Sequence, residues 1–150
     1  MHITIAGTGY VGLSNAVLLA QHNKVYAVDI IQEKVDMLNQ KQSPIQDKEL
    51  QEYLQTKELD LTATTKGEEA YSNADFVIVS TPTNYESKKN YFDTFSVEMV
   101  IEQVLKLKQR AHIVAKSTVL VGFTEKMQKR FQTGRILFNR NLRKLKAWKL

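Results

Sequence analysis

The stretch ITIAGTGYVG at residues 3–12 decides the fold of this sequence. Its first four residues are an apolar run typical of a buried strand, and residues 10–21 follow with the apolar pattern of a helix packed on most sides. A G-x-G-x-x-G turn therefore joins a strand to a helix. In such a turn Gly7 permits the tight bend, Gly9 lets the backbone approach a pyrophosphate, and Gly12 lets helix and strand pack closely.

This turn is interpreted as a binding site for a dinucleotide. The N-terminus of the helix that follows offers unpaired N–H groups and a partial positive charge, which favour phosphate groups. Glycine-rich turns also serve structure alone, and that is the alternative interpretation. Its position between a strand and a helix, at the start of a βαβ unit, favours dinucleotide binding.

Strands and helices alternate along the rest of the chain. Apolar strands are predicted at 25–28, 59–63, 76–79, 112–115 and 135–138, helices at 31–40, 47–55, 67–72, 95–107 and 123–131, and a long polar loop at 84–94. Strands joined by helices in right-handed crossovers form a parallel sheet covered on both faces. The pattern thus predicts a single α/β domain, a Rossmann-like doubly wound parallel sheet at residues 1–138, followed by a basic tail at residues 139–150.

Composition excludes several classes of function. The net charge is +5, but six basic residues and no acidic one lie from Arg135 onward. Without these six, 15 of the 21 basic residues remain, against 16 acidic residues. The basic charge thus belongs to the tail, and we expect no nucleic-acid partner. The sequence has no cysteine and only three widely spaced histidines, so neither a metal site nor thiol catalysis is expected.

A membrane location is not expected either. No apolar run approaches the ~20 residues of a membrane span. The amino terminus enters a strand pattern directly and lacks the basic lead-in of a signal peptide. We therefore expect a cytoplasmic protein.

Polar residues follow the second strand at the edge where parallel sheets bind ligands. Asp29 lies twenty residues after Gly9, the spacing of a carboxylate that accepts hydrogen bonds from adenosine ribose hydroxyls and repels a 2′-phosphate. The alternative is that Asp29 caps the helix beginning near Ile31. Lys34, one turn into that helix, suits either the same ribose or a solvated helix surface.

Hydroxyl side chains follow two further strands. Residues 80–83 read Ser-Thr-Pro-Thr, and residues 116–118 read Lys-Ser-Thr. These hydroxyls can bind phosphate, ribose or carboxamide, or can cap turns and helices. Four strands thus end in groups suited to one dinucleotide, all at the same edge of the sheet.

These segments together resemble the UDP-glucose/GDP-mannose dehydrogenase family, and most of all its short bacterial members that act on UDP-glucose. The resemblance rests on GTGYVGL at residues 7–13, Asp29, residues 80–83, and KSTV at residues 116–119 with Val121-Gly122. It runs from Met1 to about Phe138. Residues 43–45 (SPI) and 90–92 (NYF) also match stretches of those enzymes.

The resemblance implies an enzyme that oxidises the C6 alcohol of UDP-glucose to a carboxylate with two NAD, supplying UDP-glucuronate for capsule or other polysaccharides. It implies a homodimer for the full-length enzyme. It also implies NAD contacts at Val11, Asp29, Lys34, Thr83 and Thr118, of which Thr118 additionally positions a catalytic water. We complete the predicted cofactor site with the other residues of the turn: Gly7, Gly9, Tyr10 and Gly12.

Two departures from the family pattern bear on activity. Leu120 replaces a proline that would stiffen the loop holding Thr118. Residues 139–148 read NRNLRKLKAW where the family has a Ser-Pro-Glu-Phe-Leu-Arg-Glu-Gly segment with two glutamates, and the family's nucleophilic cysteine and sugar-binding domain are absent. We expect a fragment that retains the cofactor site and has no activity alone.

Two alternatives stay open. The chain could be a stand-alone module that senses NAD or binds a partner, with Leu142, Leu145 and Trp148 forming an apolar stripe beside the lysines of the tail. The second alternative is that the chain belongs to another Rossmann dehydrogenase, such as a hydroxyacyl or hydroxyacid enzyme. Those enzymes do not combine the Ser-Thr-Pro-Thr and Lys-Ser-Thr segments, and this disfavours the second alternative.

Overall fold

A computed structural model describes residues 1–86, 88, 91–107, 110–117, 119 and 121–138 of the chain. The strands are β1 (His2–Ala6), β2 (Lys24–Val28), β3 (Leu61–Thr64), β4 (Phe76–Val79), β5 (Asn84–Glu86), β6 (Tyr91–Asp93), β7 (His112–Ala115) and β8 (Ile136–Phe138). The helices are α1 (Tyr10–Ala20), α2 (Gln32–Asn39), α3 (Lys48–Thr56), α4 (Gly67–Ser72), α5 (Phe95–Lys106) and α6 (Phe123–Phe131). The predicted basic tail lies outside the described residues.

Six strands form one parallel sheet in the order β3-β2-β1-β4-β7-β8. The chain runs outward from β1 to β3 and then returns to place β4 on the other side of β1. In the central strand, Ile3 is therefore paired with Val25 on one side and with Phe76 on the other. This confirms the predicted doubly wound sheet. The order in which successive strands are added reverses between β1 and β4, and ligands bind at this point in such folds.

Apolar side chains cover both faces of the sheet. Residues of α1 pack with Ile3 and Ile5 of the central strand, and α2 and α3 extend this layer. On the other face α4, α5 and α6 pack against Val77 and Val79. Each fully buried aliphatic side chain of this kind contributes about 1.5–3 kcal/mol of burial free energy. The strands are buried on both faces, which explains their nearly continuous apolar sequence.

The predicted polar loop at residues 84–94 is wrong over part of its length. Residues 84–86 and 91–93 pair as an antiparallel ladder, β5 with β6, outside the main sheet. Tyrosine and phenylalanine at positions 85, 91 and 92 have high strand propensity, which polar neighbours obscured in the sequence pattern. The other predicted elements are confirmed with ends shifted by up to two residues; β3, for example, begins at Leu61 instead of position 59.

Two further searches cover only the described part of the chain. None of its helices has the length and apolar character needed to span a membrane. Within the same residues, no group of three or more histidine, aspartate or glutamate side chains is arranged to hold a metal ion.

Candidate functional site

The glycine-rich turn connects the ends of β1, β2 and β4, at the point between β1 and β4 where the strand order reverses. Gly7 N donates to the Val28 carbonyl oxygen at the end of β2, at 2.8 Å, and Ser80 N donates to Ala6 O at 2.8 Å. Gly7 has φ of +96°, and a Cβ there would lie 2.7 Å from Ser80 O. Both the backbone conformation and the close approach of β4 therefore require glycine.

The other two glycines of the turn have opposite surroundings. A Cβ at Gly12 would lie 2.0 Å from Gly7 O, so the first turn of α1 packs directly on the bend that precedes it. A Cβ at Gly9 would meet nothing within 4 Å in the described part of the chain, apart from its two chain neighbours. Gly7 and Gly12 are thus required by the fold itself, whereas Gly9 leaves open space at the turn.

The N-terminus of α1 borders this open space. Gly9 is its N-cap residue, no side chain caps the helix, and its first turn contains no acidic residue. The first N–H groups of a helix have no partner within it, so these amides and the positive end of the helix dipole remain available to a ligand. The side chains of Tyr10 and Val11 are 62% and 47% exposed beside them. This arrangement suits an anionic group such as a phosphate.

Asp29 accepts three hydrogen bonds, two of which fix it to the same turn. Its Oδ2 accepts from Thr8 N at 3.1 Å and from Thr8 Oγ1 at 2.5 Å, and its Oδ1 accepts from Ile31 N at 3.0 Å. Ile31 is the N-cap residue of α2, which begins at Gln32. Asp29 therefore accepts from the residue before the helix and not from an N–H within it. The carboxylate therefore links the end of β2 to the glycine-rich turn.

The electrostatic surroundings of Asp29 keep it ionised. Burial by itself would raise the pKa of this carboxyl. The hydrogen bonds from Thr8 and Ile31 and the positive charge of Lys34 outweigh burial, and the net pKa lies below the ordinary value of 3.8. Lys34 is half-buried in the first turn of α2. Lys34, predicted as a ribose contact or a solvated helix charge, thus lies close enough to Asp29 for its charge to act on the carboxylate.

The segment after β4 is fixed by two serines. Ser117 Oγ donates to Thr81 O at 2.7 Å from the end of β7. Ser96 Oγ in the first turn of α5 donates to Pro82 O at 2.8 Å and lies 3.0 Å from Thr81 Oγ1. Half-buried Thr83 ends this segment. Ser117, predicted as a possible ligand, therefore bonds the protein itself.

Two residues of this site were not found from the sequence, and one prediction cannot be placed. Ser96 lies far from the motif along the chain, and Thr8 occupies a variable position of the G-x-G-x-x-G pattern; neither has a sequence signal of its own. Thr118 lies outside the described residues. The sheet brings together the turn at residues 7–12, Asp29 and the segment ending in Thr83 at one edge.

Comparisons with known proteins agree with this fold. A sequence model of the UDP-glucose/GDP-mannose dehydrogenase family, NAD binding domain, matches residues 1–140. The chain is 45% identical to a UDP-glucose 6-dehydrogenase of Streptococcus pneumoniae and 38% identical to one of Campylobacter jejuni, in each case over 93% of its own length. It covers 35% and 36% of these two relatives, about a third of their length.

A solved structure shares the same architecture. In a ternary complex of GDP-mannose dehydrogenase from Pseudomonas aeruginosa, the matching region superposes with a TM-score of 0.77 at 25% sequence identity. The match covers 92% of this chain and 35% of that one.

Proposed function

The chain belongs to the UDP-glucose/GDP-mannose dehydrogenase family as its NAD-binding domain, and from this membership we propose that NAD lies across the carboxyl ends of β1, β2 and β4. The observation that carries the proposal is the glycine-rich turn at the reversal point of the sheet, with Asp29 bonded to it. The family comprises dehydrogenases, which are oxidoreductases.

The residues of the turn fit a dinucleotide pyrophosphate. The open space at Gly9 lets a phosphate approach the backbone, and the uncapped amides of α1 face that space. We assign the pyrophosphate to the N–H groups of Tyr10 and Val11, with Gly7 and Gly12 keeping the turn in shape. The positive end of α1 then offsets the charge of the phosphates.

Asp29 and Lys34 are assigned to the adenosine ribose. The ionised carboxylate of Asp29 accepts a hydrogen bond from a ribose hydroxyl and repels the additional phosphate of NADP. We place Thr83 and Thr118 toward the nicotinamide half of NAD, on the basis of the family resemblance. When bound, NAD supplies the hydride acceptor, while the protein supplies position and electrostatics.

The substrate we propose for the full-length enzyme is UDP-glucose, because both relatives above are UDP-glucose 6-dehydrogenases. A cytoplasmic homodimer is proposed for that enzyme as well. The present chain spans about a third of those relatives and contains no cysteine. Since the resemblance implies a cysteine nucleophile, we propose that these 150 residues bind NAD and do not oxidise UDP-glucose by themselves.

Calorimetric titration with NAD and NADP tests this proposal. We expect the chain to prefer NAD, and D29A to weaken NAD binding and narrow the preference. The matched control is D36A, which removes an exposed carboxylate from the same region of the chain, within α2. NAD at a hundredfold excess over its dissociation constant should stabilise the fold by about 2.7 kcal/mol in thermal melts.

Two outcomes would contradict the proposal. Equal affinities for NAD and NADP would remove the role assigned to Asp29, and no thermal shift at millimolar NAD would remove the site itself. NADH formation from UDP-glucose above the background of a heat-killed sample would refute the expected inactivity of the isolated chain.

A further inference from the structure

We propose that Thr8 is a positioning residue that sets the preference for NAD over NADP, because its hydroxyl fixes the orientation of the Asp29 carboxylate. This inference rests on the ribose role assigned to Asp29 above. Thr8 occupies the first unspecified position of the G-x-G-x-x-G turn.

Thr8 donates two hydrogen bonds to Asp29. Both its backbone N–H and its hydroxyl donate to Asp29 Oδ2, at 3.1 and 2.5 Å. A carboxylate oxygen accepts about two such bonds, so Thr8 fills the acceptor positions of Oδ2. Oδ1 receives one hydrogen bond, from Ile31 N, and keeps an acceptor position for a ligand.

Burial distinguishes this role from direct binding. Thr8 is only 1% exposed, whereas Asp29 is half-buried at the edge of the sheet. A ligand above the turn therefore reaches Asp29 and does not reach the Thr8 hydroxyl. Any effect of that hydroxyl on cofactor choice must act through the carboxylate.

The orientation of Asp29 matters because the torsion about its terminal bond is intrinsically broad. Three donors from two directions, Thr8 on one side and Ile31 on the other, hold the carboxylate plane in one position. Without the hydroxyl, one of the two bonds on Oδ2 is lost, and the carboxylate plane, held by one backbone N–H on each oxygen, rotates more easily. A ribose hydroxyl then meets a less fixed acceptor, and a 2′-phosphate meets a charge that can turn away.

The decisive substitution is T8V, which keeps the branched shape and removes the hydroxyl. We expect the dissociation constant for NAD to rise about tenfold, because a less firmly held carboxylate must be ordered when the ribose binds. The dissociation constant for NADP should change less than about twofold, so that the preference for NAD over NADP becomes smaller. T8S retains the hydroxyl and should restore the wild-type ratio. T8A, which adds no bulk, should reproduce the T8V result and serves if T8V fails to fold.

A purely structural role for Thr8 predicts a different pattern. In that case T8V and T8A would weaken the binding of NAD and of NADP by the same factor, or T8S would bind NAD as poorly as T8V does. Either result would overturn the inference. Failure of the proposed function is separately visible. In that case the wild-type protein does not bind NAD, or D29A leaves the ratio of the NAD and NADP dissociation constants unchanged.

Discussion

The two halves of the candidate site are held in place by different kinds of interaction. At the ends of β1 and β2, the turn is fixed by backbone contacts too close for any side chain at Gly7 or Gly12, and by the ionised carboxylate of Asp29. At the ends of β4 and β7, the chain is fixed by neutral hydroxyls, Ser96 and Ser117, bonded to backbone oxygens. The first half thus tolerates almost no change in shape, whereas the second depends on individual bonds of modest energy.

The strongest test of this difference is G12A. Its Cβ would lie 2.0 Å from Gly7 O, a backbone atom that cannot move without disturbing the turn. We expect the free energy of unfolding to fall by about 3 kcal/mol or more, at the upper end of overpacking effects. The matched control is G9A. Apart from the two chain neighbours, no atom of the described residues lies within 4 Å of its Cβ, and the substitution should change stability by about 1 kcal/mol or less. Urea unfolding curves measure both, and equal losses would show that the turn has no rigid shape.

A smaller effect is expected in the second half, from S117A. This substitution removes the hydrogen bond to Thr81 O and should cost about 1 kcal/mol in urea unfolding. Within the described part of the chain, Ser117 forms no hydrogen bond with the glycine-rich turn or with Asp29. NAD affinity should therefore fall less in S117A than in D29A. A loss of NAD affinity as large as that of D29A would mean that the two halves are not independent.

The smallest expected effect is a dependence of stability on pH that only the first half should show. The folded-state pKa of Asp29 is lowered, so its charged form stabilises the fold above the unfolded value of 3.8, and this stabilisation is lost as pH falls through the lower folded value. The difference in stability between wild type and D29N should therefore shrink below about pH 3.8. S117A changes no ionisable group, and its difference from wild type should stay constant in the same acid titration.

This contrast also explains which parts of the site were predictable from sequence. Glycine spacing and strand periodicity are local signals, and they predicted the sheet, the turn and the placement of Asp29 beside it. Ser96 and Ser117 act through contacts between distant segments, and nothing in their own neighbourhood of the sequence marks those partners. Thr8 was missed because a motif defines its glycines and leaves the residues between them unspecified.

The short ladder of β5 and β6 was missed for a related reason. Its aromatic residues lie beside polar ones in strands of three residues, which are too short for periodicity to distinguish from a loop. The position of Gly12 was predicted in part: the sequence indicated close packing of helix and strand, whereas its nearest neighbour is the carbonyl oxygen of Gly7 within the turn.

The bond from Ser80 N to Ala6 O has a consequence for how the molecule folds. β1 pairs first in sequence with β2, but its second neighbour, β4, is synthesised only after the whole first half of the chain. Pairings of such long sequence separation form late, because loop closure must precede them. The turn at residues 7–12 is therefore complete only after β4 docks, so NAD binding reports the docking of β4 on β1. A nascent chain still lacking β4 would display the full G-x-G-x-x-G motif without a finished site.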